Sequence, residues 1–138
     1  MSLDISLQST SYQVGNRQWL LAEPDVKLNV TLDVSKFTAG THFPNGFIPS
    51  GTVVGKLTSG GKCAPYDDTK SDGSQTAYGI TYGDARVVRY NGTSATQVDI
   101  SVVVYDCIVS AGKLPFQSGT GSIDANGKAD LAQIRWEA

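Results

Sequence analysis

Gly46–Tyr82, reading GFIPSGTVVGKLTSGGKCAPYDDTKSDGSQTAYGITY, decides the fold. Two β-prone runs, Thr52–Thr58 and Thr76–Tyr82, enclose a Ser59-Gly60-Gly61 turn, a short extended piece at Lys62–Tyr66 and an acidic polar loop at Asp67–Gly73. Pro65 marks an edge or a strand end, because it has no N–H to give to a ladder. Gly55 within the first run predicts a bulge or a close backbone approach. Short strands separated by turn chemistry predict small-barrel construction.

Working outward, Leu28, Val30, Leu32 and Val34 alternate with Asn29, Thr31 and Asp33, the pattern of a half-buried strand. Pro44-Asn45-Gly46 breaks the connector that follows. Downstream, Ala85–Tyr90 ends at the Asn91-Gly92 turn signal, and Gln97–Val104 is the strongest strand. Its Val98, Ile100, Val102 and Val104 are expected to face one core, which Val54 and Ile134 join. Tyr105–Val109 continues through a bend at Asp106 and places Cys107 near that core. Asp124–Gln133 is the one helical stretch, capped by Asp124 and weakened by Gly127, with Leu131 pointing inward. Ile134 and Trp136 then alternate with Arg135 and Glu137 as a closing strand.

Residues 1–24 are polar apart from Leu3, Ile5 and Leu7, which alternate with Ser2, Asp4 and Ser6, and the cluster Trp19, Leu20 and Leu21. The triplet reads either as a frayed tail or as an arm that adds a strand to a partner's edge. The cluster reads as an anchor, on the chain's own body or on a neighbour. The expected organisation is an extended N-terminal arm with one strand over 1–45 and a compact β-rich domain over 46–138. The fold class is mainly β: a small β-barrel-like body with one short helix and an extended N-terminal arm.

A chain of 138 residues with 17% charged residues and a formal net charge of -2 has no electrostatic footprint for nucleic acid. Apolar clusters are too short to span a bilayer, and the N-terminus lacks signal-peptide features, so no membrane partner and cytoplasmic synthesis are expected. Cys63 and Cys107 read as two buried thiols in preference to a disulfide. His42 has no neighbouring ligand, and Asp67, Asp68 and Asp72 lack the closing glutamate of a calcium loop. The spacing of Gly55, Gly60, Gly61 and Lys62 fails as a phosphate loop. No metal, no cofactor and no enzymatic activity are expected.

Gly51–Thr58, Lys62–Asp68 and Ala77-Tyr78-Gly79-Ile80, followed by the valine strand, Gly112-Lys113-Leu114-Pro115, the helix and Ile134 with Trp136, together resemble the phage lambda-type head decoration family. The resemblance covers about 46–138 and extends weakly through Leu28–Phe37. It implies a structural cement protein that binds the exterior of an expanded icosahedral capsid as a homotrimer and clamps neighbouring copies of the major capsid protein. With the arm-mediated binding the family implies, Leu3, Ile5, Leu7, Trp19, Leu20 and Leu21 become candidate capsid contacts. Tyr66, Leu114 and Trp136 become candidate trimer or capsid interface residues. The long aromatic-bearing N-terminal segment and the two cysteines depart from the family pattern. The rival reading is a virion-surface glycan or receptor recognition domain with an aromatic platform drawn from Tyr66, Tyr78, Tyr82, Trp19 or Trp136.

Overall fold

The computed structural model describes residues 16–89 and 91–138. Its longest strand is Gln97–Val103 (β8), and the chain is arranged on both sides of it. Before it come β1 (Leu20–Ala22), β2 (Leu28–Asp33), β3 (Phe47–Ile48), β4 (Val53–Lys56), β5 (Cys63–Pro65), β6 (Ala77–Thr81) and β7 (Ala85–Arg86). After it come β9 (Cys107–Ser110), the short helix α1 (Ala125–Asp130) and β10 (Ile134–Glu137).

Successive side chains of a strand point to opposite faces, so a strand covered on both sides feeds two cores. β8 and β4 do this. Val102 and Val54 enter one core with Leu32, Phe37, Ile48, Cys63 and Val87. Val103 and Val53 enter the other with Trp19, Ile80, Cys107, Val109, Leu131 and Ile134. Val98, Ile100 and Val104 lie on the Val102 side but are only half-buried. Ile134, expected to join them, sits in the opposite core, because β10 pairs parallel with β9 and not with the β8 system. Each fully buried valine or isoleucine contributes about 1.5–3 kcal/mol relative to an exposed one.

The expectation of a small β-barrel-like body carrying an extended arm is corrected here. Strand pairing can be followed through β2-β5-β4-β6-β8 and back to β2. The β2–β5 step, however, rests on the lone pair Leu32–Cys63. β5 is three residues long and ends at Pro65, which has no N–H to donate toward β2. The remaining strands form two separate sheets, β1-β9-β10 and β3-β7. The fold is therefore a mainly-β assembly of several small sheets with one short helix, not a barrel body.

β2 pairs antiparallel with β8 from Leu28 opposite Val102 to Asp33 opposite Gln97. β1 pairs with β9, and Trp19 is buried in a core. Residues 16–45 are thus built into the body.

Gly55 makes the close backbone approach foreseen for it and lies opposite a bulge whose extra residue is Tyr78 of β6. The β4–β6 register shifts between Val54 and Gly55, and a Cβ on Gly55 would lie 2.6 Å from the Ser74 Cα. The bend at Asp106 is made by a left-handed backbone, φ 58. Helix α1 is shorter than Asp124–Gln133; Asp124 caps it by accepting from the Gly127 N–H at 2.8 Å, and Leu131 follows it into the core.

Candidate functional site

The N-terminal segment from Asn16 to Leu28 carries three of the four exposed large hydrophobic residues among those described, and its path is set by two aromatic residues. Trp19 is 1% exposed. Its indole N–H donates to Ser50 Oγ at 3.1 Å, and the Ser50 hydroxyl donates to the Tyr82 carbonyl at 2.7 Å. Its carbonyl accepts from the Ser110 N–H at 2.7 Å, which ties the segment to β9. The ring packs where Gly51, φ +98, leaves no room for a side chain: a Cβ there would lie 2.9 Å from the indole nitrogen and 2.7 Å from Pro115 Cδ.

Tyr82 forms the second fastening. The Arg17 guanidinium lies 4.5 Å from its ring centroid and the Lys27 ammonium 4.4 Å from it. Its hydroxyl donates to Glu23 Oε1 at 3.0 Å, and this bond, with burial, raises the phenol's pKa. Each cation contact contributes about 0.5–1 kcal/mol at an exposed site. Three side chains of one segment therefore close on a single tyrosine of the body.

What the segment leaves in solvent is apolar. Leu21 is 49% exposed, Val26 45%, Leu28 38% and Tyr105 37%, and these are the exposed large hydrophobics among the described residues. Leu20 pairs with Val109, Ala22 with Ile108 and Leu28 with Val102, so residues 20–28 run beside 102–109. Leu21 is the extra residue of a bulge between Leu20 and Ala22 and is turned outward. Glu23, Asp25, Asp106 and Arg135 flank the ribbon along a shared groove. An apolar ridge with charged flanks is the composition of a protein-binding surface.

The residues singled out from sequence are placed unevenly. Leu3, Ile5 and Leu7 lie outside the described residues. Trp19 offers no surface to a neighbour: it anchors the segment on its own body. Leu20 is half-buried against the same core, and Leu21 is exposed. Tyr66 and Leu114 are buried, and the Tyr66 hydroxyl donates to Asp124 Oδ1 at 2.7 Å, reinforcing the helix cap. Trp136 is half-buried, its N–H donating to the Leu131 carbonyl at 3.4 Å with the Lys128 ammonium 6.0 Å from its ring. Val26 and Tyr105 carried no sequence signal beyond an isolated apolar residue in a connection, and Leu28 read as inward-facing.

Polar groups elsewhere serve structure. Thr38 N–H donates to His42 Nδ1 at 2.8 Å, and His42 Nε2 donates to Thr120 Oγ1 at 2.8 Å. Burial lowers the His42 pKa. Asp67 and Asp72 accept from the hydroxyls and N–H groups of Thr69 and Ser74, which holds both carboxyls below their usual range. Cys63 and Cys107 are free, buried thiols in different cores, each pushed up to about 11 by burial. Among the described residues no group of three or more His, Cys, Asp or Glu could hold a metal ion. No helix among them is long and apolar enough to cross a membrane.

A β-rich body bearing an apolar ridge with charged flanks has the form of a structural binding protein. The chain belongs to the family described as bacteriophage lambda head decoration protein D, whose model matches residues 12–135. No curated protein and no solved structure matches it. Family membership supports a capsid decoration role, with no catalytic function.

Proposed function

We propose that the protein is a cement protein that binds the exterior of an expanded icosahedral phage capsid as homotrimers and stabilises contacts between neighbouring major capsid subunits. The observation that carries this reading is the family match across residues 12–135, which takes in the segment bearing Leu21, Val26 and Leu28 as well as Tyr105. Closed cyclic association suits a small chain that acts at symmetric lattice points. We assign capsid contact to Leu3, Ile5 and Leu7, whose alternation suits strand addition, with Leu20 and Leu21 beside them. Neither nucleic acid nor membrane is a partner in this reading.

The test is light scattering across a concentration series together with quantitative binding to genome-free expanded capsids. A threefold species, or threefold clusters on the shell, is expected. A monomer in solution that also fails to bind the shell would overturn the proposal.

A further inference from the structure

One join in the strand circuit is almost absent. β2 pairs with β8 along its whole length, whereas its other edge meets β5 only where Leu32 lies opposite Cys63. The Val34 N–H donates to the Thr96 carbonyl at 3.1 Å, and this sets the phase of the β2–β8 ladder. Leu28, Val30 and Leu32 turn their backbone groups toward β8, and Asn29 and Thr31 turn theirs to the opposite edge. On that side β5 reaches only as far as Thr31, whose carbonyl the Leu32–Cys63 bridge engages, so among the described residues no strand pairs with Asn29 or with the Thr31 N–H.

In its place is an open cleft of about 790 Å³. Val30, Ile100 and Tyr78 line it as half-buried apolar groups. Lys56 at the end of β4 and Lys62 just before β5 line it, with the Lys56 ammonium 5.3 Å from the Tyr78 ring centroid. Arg135–Glu137 is the salt bridge found among the described residues, so neither lysine is ion-paired within 4.0 Å there. Asp99, which also borders the cleft, accepts from Thr31 Oγ1 at 2.6 Å.

We propose that this cleft is a strand-addition site for an extended segment of another protein chain that presents apolar side chains and a carboxylate. The Asn29 N–H and C=O and the Thr31 N–H lie along this edge, donors and an acceptor that match a polypeptide and not a phosphate chain. The incoming strand pairs with that edge, rests an apolar side chain on Val30, Ile100 and Tyr78, and brings its carboxylate to Lys56 and Lys62. The inference goes beyond capsid decoration and does not depend on it.

The probe is a capped hexapeptide, acetyl-Thr-Val-Asp-Val-Thr-Val-amide, titrated to millimolar concentration into the full chain while backbone amide resonances are followed. Shifts confined to the cleft and slowed amide exchange at Asn29 and Thr31 are expected. A peptide with Lys in place of Asp should bind about tenfold more weakly. The double variant K56E/K62E should reverse that preference, an outcome only a folded variant can give. Absence of cleft shifts, shifts centred elsewhere, or equal binding of the two peptides would overturn the proposal. Capsid binding without cleft shifts would sink this inference and leave the decoration role standing; the converse result would do the opposite.

Discussion

Trp19 and Ser50, 31 positions apart in the chain, meet through a buried hydrogen bond of 3.1 Å. The serine hydroxyl is itself committed to the Tyr82 carbonyl, so the indole closes a relay that begins in β1's approach and ends in the turn after β6. Trp19→Ala should remove a large buried ring and leave Ser50 without its donor, at about 3–5 kcal/mol. Leu21→Ser, two residues away and exposed, should cost under about 0.5 kcal/mol. Denaturant unfolding of the two variants checks the contrast; equal losses would refute it.

Burial separates fully buried Val102 from its half-buried neighbour Ile100 on the same face of β8. Val102→Ala deletes two fully buried methyl groups and should cost about 2–3 kcal/mol. Ile100→Ala, at the cleft and partly solvated, should cost about 1–2 kcal/mol despite removing more carbon. Thermal or urea denaturation that places Ile100 above Val102 would contradict the assignment of burial.

This pair also marks how far the sequence could be read. The alternation from Val98 to Val104 identified β8 and the face its residues share. Val103, at an apparently outward position, gave no sign that a second core waits there, since that core is assembled from Trp19, Val109 and Ile134 far along the chain. Period-2 pattern reports which residues share a face and is silent on whether the other face is covered. The same limit left open whether Trp19 anchors on its own body or on a neighbour, since its partner Ser50 lies in a polar turn, and it hid the near-gap at Leu32–Cys63, which depends on where two distant strands diverge. Asp124 as a helix cap and Asp106 as a bend were legible because local backbone chemistry decides both.

His42 makes stability depend on pH in a defined direction. Its pKa in the fold lies below the ordinary 6.5, so between the two values the unfolded chain binds more protons and stability rises with pH. The contribution is full above about pH 6.5 and is lost as pH falls toward the folded value, because a protonated Nδ1 cannot accept from Thr38 N–H. Lys36, Asp67, Lys70 and Asp72 line the same cleft, and the lowered carboxyls of Asp67 and Asp72 titrate below 3.8, in a separate window. His42→Gln should flatten the unfolding profile just below about pH 6.5; an unchanged slope would count against the clamp.

Cys63 and Cys107, pushed up to about 11, hold about one thiolate in a thousand at pH 8. Alkylation by iodoacetamide in native buffer should therefore be slow at both and become rapid only on unfolding. Mass spectrometry showing prompt modification of either in the folded chain would contradict its burial.

Removal of the N-terminal residues should divide sharply by length. Deleting 2–15 leaves Arg17, Trp19 and β1 in place and should preserve the fold while lowering capsid occupancy. Deleting 2–24 also removes the buried indole and should unfold or strongly destabilise the body. Paired circular dichroism and capsid-binding assays separate the two effects; full occupancy after the shorter deletion would exclude residues 2–15 as a principal contact.

The fastening of Arg17, Glu23 and Lys27 on Tyr82 also has a mechanical meaning. Tension applied at the N-terminal end of the described chain arrives first at Arg17 and Trp19, before it reaches the three residues of β1. An edge strand that short would peel one bond at a time, whereas a buried ring must be extracted whole. The body is thus pinned where it would be pulled, and a load transmitted along the N-terminal segment is shared with the core that Trp19 and β9 build together instead of being spent on unzipping an edge.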